Sequence, residues 1–131
     1  MATAGPRYPT VAVNESVSPE NTDAWVNPTN VGADDTSEAA ITAATFDSPD
    51  ISQRLNTSGY GFSLSTGSTI NGITVEIMRR NSVGAASDNR VQLRDAAGAL
   101  AGDNKADTAL DWPTTEALKS YGGATDTWNA S

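Results

Sequence analysis

One stretch, residues 68–80 (STINGITVEIMRR), constrains the fold more than any other part of this chain. Apolar β-branched residues recur there at a period of two, which predicts a half-buried β-strand. One side is formed by Ile73, Val75 and Ile77, and the other by Thr74, Glu76 and Met78. β-Branched side chains fit a pleated surface, and Asn71-Gly72 upstream allows the backbone to bend into the strand. The other segments are expected to pair with this strand or to cover it.

The residue types that are missing exclude several classes of chemistry. The 131 residues include no cysteine and no histidine. Disulfides, zinc thiolates, His-ligated metals and a Ser-His-Asp triad within this chain are therefore excluded. Hydrolysis of a glycosidic bond by two carboxylates is not excluded by the composition, and Asp103 with Asp107 is the pair considered. Since no aromatic-lined cleft is indicated around that pair, we predict that the chain is not an enzyme and holds no cofactor.

Acidic residues dominate the first part of the chain. Residues 1–50 hold eight acids and one base, and residues 51–131 hold eight acids and seven bases, within a net charge of −8. Such a chain repels phosphates and anionic lipids, so we expect it to bind neither nucleic acid nor membranes. Residues 1–10 lack the basic start and apolar centre of a signal peptide, and no apolar run reaches the length of a membrane span. Export by the usual route is not expected.

Residues 1–35 are predicted to form an extended arm. Four of the six prolines lie in this segment, at positions 6, 9, 19 and 28. Proline fixes φ and lacks a backbone donor, so the segment is unsuited to a helix interior or a central strand. Residues 10–13 are expected to pair briefly as an edge strand. Trp25 is interpreted as an anchor that docks either on its own domain or on another subunit, because its buried area far exceeds that of its polar neighbours.

Residues 36–131 carry the remaining strand signals. Strands are expected at residues 41–46, 51–55, 60–64 and 89–95, with a break at residues 56–59 and a hairpin turn at residues 95–98 that returns through Leu100. Residues 114–121 fit either one helical turn or an extended segment. The expected core consists of Phe62, Ile73, Val75, Ile77, Val91 and Leu93.

Short strands separated by Gly, Asn, Asp and Ser, without a sustained helical period, predict an all-β fold. About six strands in this pattern favour an antiparallel sandwich or barrel. Residues 36–131 would form this domain behind the arm. Trp128 stands three residues before the end of the sequence. Either the domain is incomplete at its C-terminus, or a neighbouring subunit completes its sheet.

Two further patterns admit a ligand. Acidic clusters at residues 34–35, at residues 88–89, and at residues 103–104 with Asp107 contain oxygen ligands for calcium. No spacing matches an EF-hand, so we interpret them as turns in which Asx side chains bond their own backbone. The larger aromatic residues would suit a sugar-stacking platform, with core packing as the competing interpretation. These aromatics are Trp25, Tyr60, Trp112, Tyr121 and Trp128.

Several segments together resemble a known domain. They are WVNPTNV (25–31), SGYGFSL (58–64), the stretch 68–80, DNRVQL (88–93), GDNKA (102–106), WP (112–113) and YGGATDTW (121–128). In order and spacing, they resemble a recurrent β-sandwich domain of tailed-bacteriophage virion proteins. In the related domains the D-x-W segment is followed by a glycine and further strands, whereas Asn129 follows it here.

The resemblance implies an antiparallel, jelly-roll-like β-sandwich and a non-enzymatic structural protein of the phage particle. That protein would be a capsid decoration or cement protein or a head-fibre base, present on the virion surface after synthesis in the bacterial host cytoplasm. Its partners would be the major capsid protein or other virion subunits. Independently of the resemblance, a sheet that stops just after Trp128 leaves an uncovered edge, so we also expect the chain to form a homo-oligomer. The alternative is a tail or fibre module that binds host-surface carbohydrate. The residues expected to contact a partner are Trp25, Tyr121 and Trp128.

Overall fold

The computed structural model describes residues 3–18, 23–42, 50–82 and 84–130. Its strands are β1 (Val11–Glu15), β2 (Arg54–Ser58), β3 (Thr74–Arg79), β4 (Leu93–Arg94), β5 (Leu100–Ala101) and β6 (Ala117–Gly122). In this part of the chain the only helical element is a 3-10 helix, Pro28–Gly32, so the all-β prediction is confirmed. The chain divides into two units, Met1–Thr66 and Gly67–Ser131. The predicted division into an arm of residues 1–35 and a domain of residues 36–131 stays a prediction.

In the first unit, β1 and β2 form an antiparallel pair whose register runs from Val11 opposite Ser58 to Glu15 opposite Arg54. The predicted edge strand at residues 10–13 is confirmed and extends to Glu15. The predicted break at residues 56–59 is wrong for its first three residues, because β2 continues to Ser58. Pairing with β1 satisfies the backbone there, which outweighs the low strand preference of Asn and Ser.

The predicted strand at residues 60–64 is absent from the described ladders. Gly59 and Gly61 both adopt positive φ, at 72° and 65°, and so interrupt the extended backbone that the alternation of large side chains predicts. Phe62 is 50% exposed, which corrects its placement in the core. Its ring stacks on Tyr60 with 6.2 Å between centroids. Most of the strand predicted at residues 41–46 lies outside the described residues.

In the second unit, β3 and β6 form an antiparallel ribbon in which Thr74 lies opposite Gly122 and Arg79 opposite Ala117. The strand predicted within residues 68–80 is confirmed, and its alternation holds. Ile73, Val75 and Ile77 are half-buried on one face, whereas the residues between them are exposed. Of the two alternatives for residues 114–121, the extended one is found.

The predicted hairpin turn at residues 95–98 is confirmed, and it joins β4 to β5. The amide of Gly98 donates to the Asp95 carbonyl oxygen at 3.0 Å. The Asp95 carboxylate accepts from the amides of Ala97 and Ala99, both at 2.9 Å. Gly98 has φ 84°, a left-handed conformation that glycine adopts without cost. The strand expected over residues 89–95 shrinks to Leu93–Arg94, and Val91 and Leu93 are half-buried.

The core is small, and Trp128 is its largest fully buried side chain. The other buried apolar residues described are Ala12 and Tyr121. Trp128 packs directly against two glycines. A Cβ atom on Gly122 would clash with the Trp128 indole, and a Cβ atom on Gly102 would clash with the Trp128 backbone carbonyl. Close packing around one aromatic side chain therefore organises the second unit.

Candidate functional site

A buried cluster of polar side chains occupies the second unit. Arg79 lies on the same face of β3 as Ile77, and the side chains of Arg79 and Asp88 are only 5% and 2% exposed. The Arg79 guanidinium donates to the Asp88 carboxylate at 2.5 Å and to the Tyr121 hydroxyl at 2.9 Å. It also lies 5.5 Å from the centre of the Trp112 ring. A buried charge of this kind is tolerated only with a close and well-bonded counter-charge.

Asp88 is the hub of this cluster. Besides Arg79, its carboxylate accepts from the Trp112 indole at 2.7 Å, from the Tyr121 hydroxyl at 2.7 Å and from the Asp107 amide at 3.1 Å. Burial raises the pKa of the carboxyl, but the bonds from Tyr121, Trp112 and Asp107 and the charge of Arg79 outweigh it and lower the pKa. Asp88 is therefore a fixed anion that ties the loops to the β3–β6 ribbon.

Tyr121, which is 4% exposed, joins the ribbon to this hub. Burial is the first cause that raises the pKa of its hydroxyl, and the hydrogen bond to Asp88 adds to it. The Lys119 ammonium lies 6.0 Å from the centre of the Tyr121 ring. Tyr121 therefore stays a neutral hydrogen-bond donor throughout the physiological pH range.

A shallow groove of about 410 Å³ runs beside the cluster, between residues 105–109 and residues 119–122 of β6. Two lysines line it, and each has a carboxylate partner. Lys119 lies 3.0 Å from Asp107, and Lys105 lies 3.0 Å from Asp126. The hydrogen bonds to these lysines lower the pKa of both carboxyl groups. The two lysine charges at the groove are therefore paired within the chain.

Three hydrogen bonds fix Trp128 in place. Its indole N–H donates to the Ile73 carbonyl oxygen at 2.8 Å, and its amide donates to the Asp126 carboxylate at 2.8 Å. Its own carbonyl oxygen accepts from the Asp103 amide at 2.6 Å. The indole is thus a structural centre that links β3 to the C-terminal segment.

Trp25 belongs to the first unit and is half-buried. The Asn14 amide side chain bonds both the amide and the carbonyl of Trp25, at 2.9 and 2.8 Å. The Trp25 indole donates to the Gln53 carbonyl oxygen at 2.8 Å. Of the two docking alternatives, the structure shows contacts within the chain.

The three predicted partner-binding residues are therefore placed in two groups. Tyr121 and Trp128 lie in the second unit, and both are buried there, with the Trp128 indole against Gly122. Trp25 lies in the first unit. The hydrogen bonds described above for these three residues all lie within the chain. Contact of any of the three with a partner subunit stays a prediction.

Sequence reasoning missed Arg79 and Asp88. A usable signal is present, because Arg79 continues the odd-numbered face of Ile73, Val75 and Ile77 and so places a charge on the covered side of a strand. That position demands a buried acid, but no local pattern shows which of the acids supplies it.

The acidic turns behave as interpreted at two of the three pairs. Asp35 accepts from the Ser37 amide at 2.6 Å, and Asn104 accepts from the Ala106 amide at 3.1 Å. The third pair is different, because Asp88 is the buried hub. In the described ranges, no three acidic side chains come together as metal ligands. No helix among those same residues is long and apolar enough to cross a membrane.

Large apolar side chains remain at the surface of the strands. In the first unit, Val11 and Val13 of β1 are 47% and 50% exposed. In the second unit, Met78 of β3 and Leu118 of β6 lie directly opposite each other and are 47% and 55% exposed. Further exposed apolar residues are Tyr8, Val26, Phe62, Leu64, Ile70, Leu100 and Leu110. Singly exposed apolar side chains are common on protein surfaces, so the adjacent pair of Met78 and Leu118 is the more informative feature.

Comparisons of the chain with protein families, with curated proteins and with solved structures found no match.

Proposed function

We propose that this chain is a non-enzymatic structural protein of a bacteriophage virion that binds neighbouring capsid subunits, as a decoration or cement protein or as the base of a head fibre. Its partners would be the major capsid protein or other virion subunits on the particle surface. The source of the virion assignment is the resemblance of residues 25–128 to phage virion domains.

The observation that carries the binding role is the apolar surface of the strand pairs. Val11 and Val13 of β1, and Met78 with Leu118 on the β3–β6 ribbon, expose about half of each side chain. A two-stranded ribbon is only marginally stable by itself, and exposed strand edges are natural sites for added strands. Contact with a capsid subunit would cover these side chains and extend the ribbons. The antiparallel, jelly-roll-like sandwich belongs to this proposal, as the fold completed by such pairing.

Binding to phage shells tests this function. The full chain is mixed with head shells that lack it and with separated tails, and the bound fraction is measured by co-sedimentation. Replacing Val11 and Val13 together by serine should lower shell affinity at least about tenfold, because their apolar area is no longer buried. Ala96→Ser, at an exposed position of the hairpin turn of residues 95–98, is the control and should bind as the parent does. Binding to neither heads nor tails would refute the proposal.

A second candidate function is the carbohydrate-binding module. The observation that favours it is the stacked pair of Tyr60 and Phe62, in which Phe62 is 50% exposed. Such a ring face can stack on a sugar. A glycan array probed with the free chain distinguishes the two functions. Sugar binding that Phe62→Ala abolishes would favour the module, whereas shell binding without sugar binding would favour the capsid role.

A further inference from the structure

Residues 61–71 are the longest uninterrupted run of exposed residues in the described part of the chain. They contain no strand, and their only regular feature is a turn at residues 66–67. Among the residues that the structure describes, no hydrogen bond joins this run to another segment. An exposed segment with an unpaired backbone is the preferred target of endoproteases, because nothing has to unfold before the protease binds it.

A glycine stands on each side of the residues in question. Gly61 and Gly67 have positive φ, at 65° and 82°. A Cβ atom at either glycine would meet no other atom within 4 Å, so the backbone there lies against nothing. An endoprotease binds several residues of its substrate in extended form, by pairing with their backbone as an added strand. The backbone of residues 62–66 is open to such pairing.

The side chains of this segment indicate which kind of protease would cut it. Between Arg54 and Arg79 the sequence contains no lysine and no arginine, so a protease with an acidic specificity pocket finds no ligand there. A protease with an apolar pocket finds two, because Phe62 and Leu64 are 50% and 53% exposed. Phe62 is partly engaged by its stacking on Tyr60. Leu64 is therefore the more accessible of the two.

Exposure of the side chain is not sufficient by itself. Leu110 and Leu118 are 58% and 55% exposed, slightly more than Leu64. Leu118, however, belongs to β6 and is paired with Met78 of β3. Leu110 directly precedes Asp111, which forms a β-bridge with Ser87. Cleavage at either leucine requires that a paired backbone opens first, and that opening costs free energy. The unpaired backbone is what sets Leu64 apart.

We propose that the bond between Leu64 and Ser65 is a proteolytic processing site, cut by an endoprotease that prefers a large apolar residue before the scissile bond. Water adds to the Leu64 carbonyl carbon and the C–N bond breaks, which leaves a carboxylate on Leu64 and an ammonium on Ser65. The β1–β2 ladder precedes this bond, and the β3–β6 and β4–β5 ladders follow it. Both fragments therefore retain their described strand pairs. The proposal does not depend on the virion role.

Digestion of the full chain with chymotrypsin tests the site. Mass spectrometry follows the rate of cleavage after Leu64, Leu110 and Leu118, and short synthetic peptides that contain the same bonds correct for the neighbouring residues. Cleavage after Leu64 should proceed within about tenfold of its peptide rate, because no local unfolding precedes it. Cleavage after Leu110 and Leu118 should be at least about a hundredfold slower than in their peptides, since it tracks the small population of the opened backbone.

Matched serine variants test the specificity. Leu64→Ser should lower the rate of cleavage after residue 64 at least about tenfold, because the apolar pocket of the protease loses its ligand. Leu118→Ser is the control and should leave the rate at Leu64 unchanged.

The fold of the cleaved chain is the second readout. Far-ultraviolet circular dichroism should be retained after cleavage at Leu64. Tryptophan emission should be retained as well, with Trp25 in one fragment and Trp112 and Trp128 in the other. The proposal is overturned if Leu64 is protected as strongly as Leu118, if Leu64→Ser is cut as fast as the parent, or if cleavage of this bond unfolds the chain.

Discussion

Replacing Asp88 by alanine should cost more stability than any exposed substitution in the second unit. The change leaves the Arg79 guanidinium, whose side chain is 5% exposed, without its counter-charge. Removing one partner of a buried ion pair costs about 3–5 kcal/mol, because the other charge stays desolvated. The Trp112 indole and the Asp107 amide lose their acceptor at the same time.

Urea unfolding followed by tryptophan fluorescence measures this cost, since Trp112 and Trp128 both report on the second unit. Asp103→Ala is the matched control. Asp103 also pairs with a cation, with 3.5 Å to Lys105, but its side chain is 47% exposed. Exposed pairs contribute about 0–1 kcal/mol, so the control should unfold close to the parent.

A double variant separates charge from packing. Arg79→Met with Asp88→Leu removes both charges and fills much of the space, so it should be more stable than Asp88→Ala alone. If Asp88→Ala lowered the free energy of unfolding by less than about 1 kcal/mol, the pair would behave as an exposed one and the reasoning would fail.

Three further results are expected. The pKa of Asp88 is lowered in the fold, so the contribution of Asp88 to stability is complete above the unfolded pKa of 3.8 and is lost as the pH falls below that value. The pKa of Tyr121 is raised, so the contribution of Tyr121 is lost as the pH rises above the ordinary pKa of 10.0. Urea titrations at a series of pH values measure both effects. Trp128→Ala should cost about 3–5 kcal/mol in the same assay, the usual range for a large buried aromatic, and a cost near zero would contradict its burial. Asn14→Ala removes both side-chain bonds to the Trp25 backbone and should cost the first unit about 1–3 kcal/mol, with a red shift of Trp25 emission; an unchanged spectrum would show that Asn14 does not hold Trp25.

Local features of this chain were predictable where they depend on a sequence pattern of only a few residues. The period of two over residues 73–78 predicted both the strand and its two faces, because alternate side chains on an extended backbone must point to opposite sides. The hairpin at residues 95–98 was predictable for a similar reason, since Asp95 and Gly98 meet the demands of the turn within four residues. The edge strand beginning near residue 10 belongs to the same group.

Regions where glycine or long-range pairing intervenes were predicted less well. The alternation of Tyr60, Phe62 and Leu64 indicates a strand, but positive φ at Gly59 and Gly61 breaks it, and Phe62 is exposed. Conversely, Asn56 and Ser58 indicate a break, yet pairing with β1 carries the strand through them. The backbone state of these residues depends on partners that lie far away in sequence.

The sequence by itself thus determined the all-β class, the covered face of β3 and the tight hairpin, all of which follow from steric and hydrogen-bonding rules acting over a few residues. Only the tertiary structure decided that Arg79 pairs with Asp88, that Tyr121 and Trp128 are buried, and that Met78 and Leu118 remain exposed. The physical reason is that burial and charge pairing are properties of three-dimensional neighbours. Asp88 meets Tyr121 across 33 positions of the chain and Trp128 meets Ile73 across 55, distances over which no local pattern carries information.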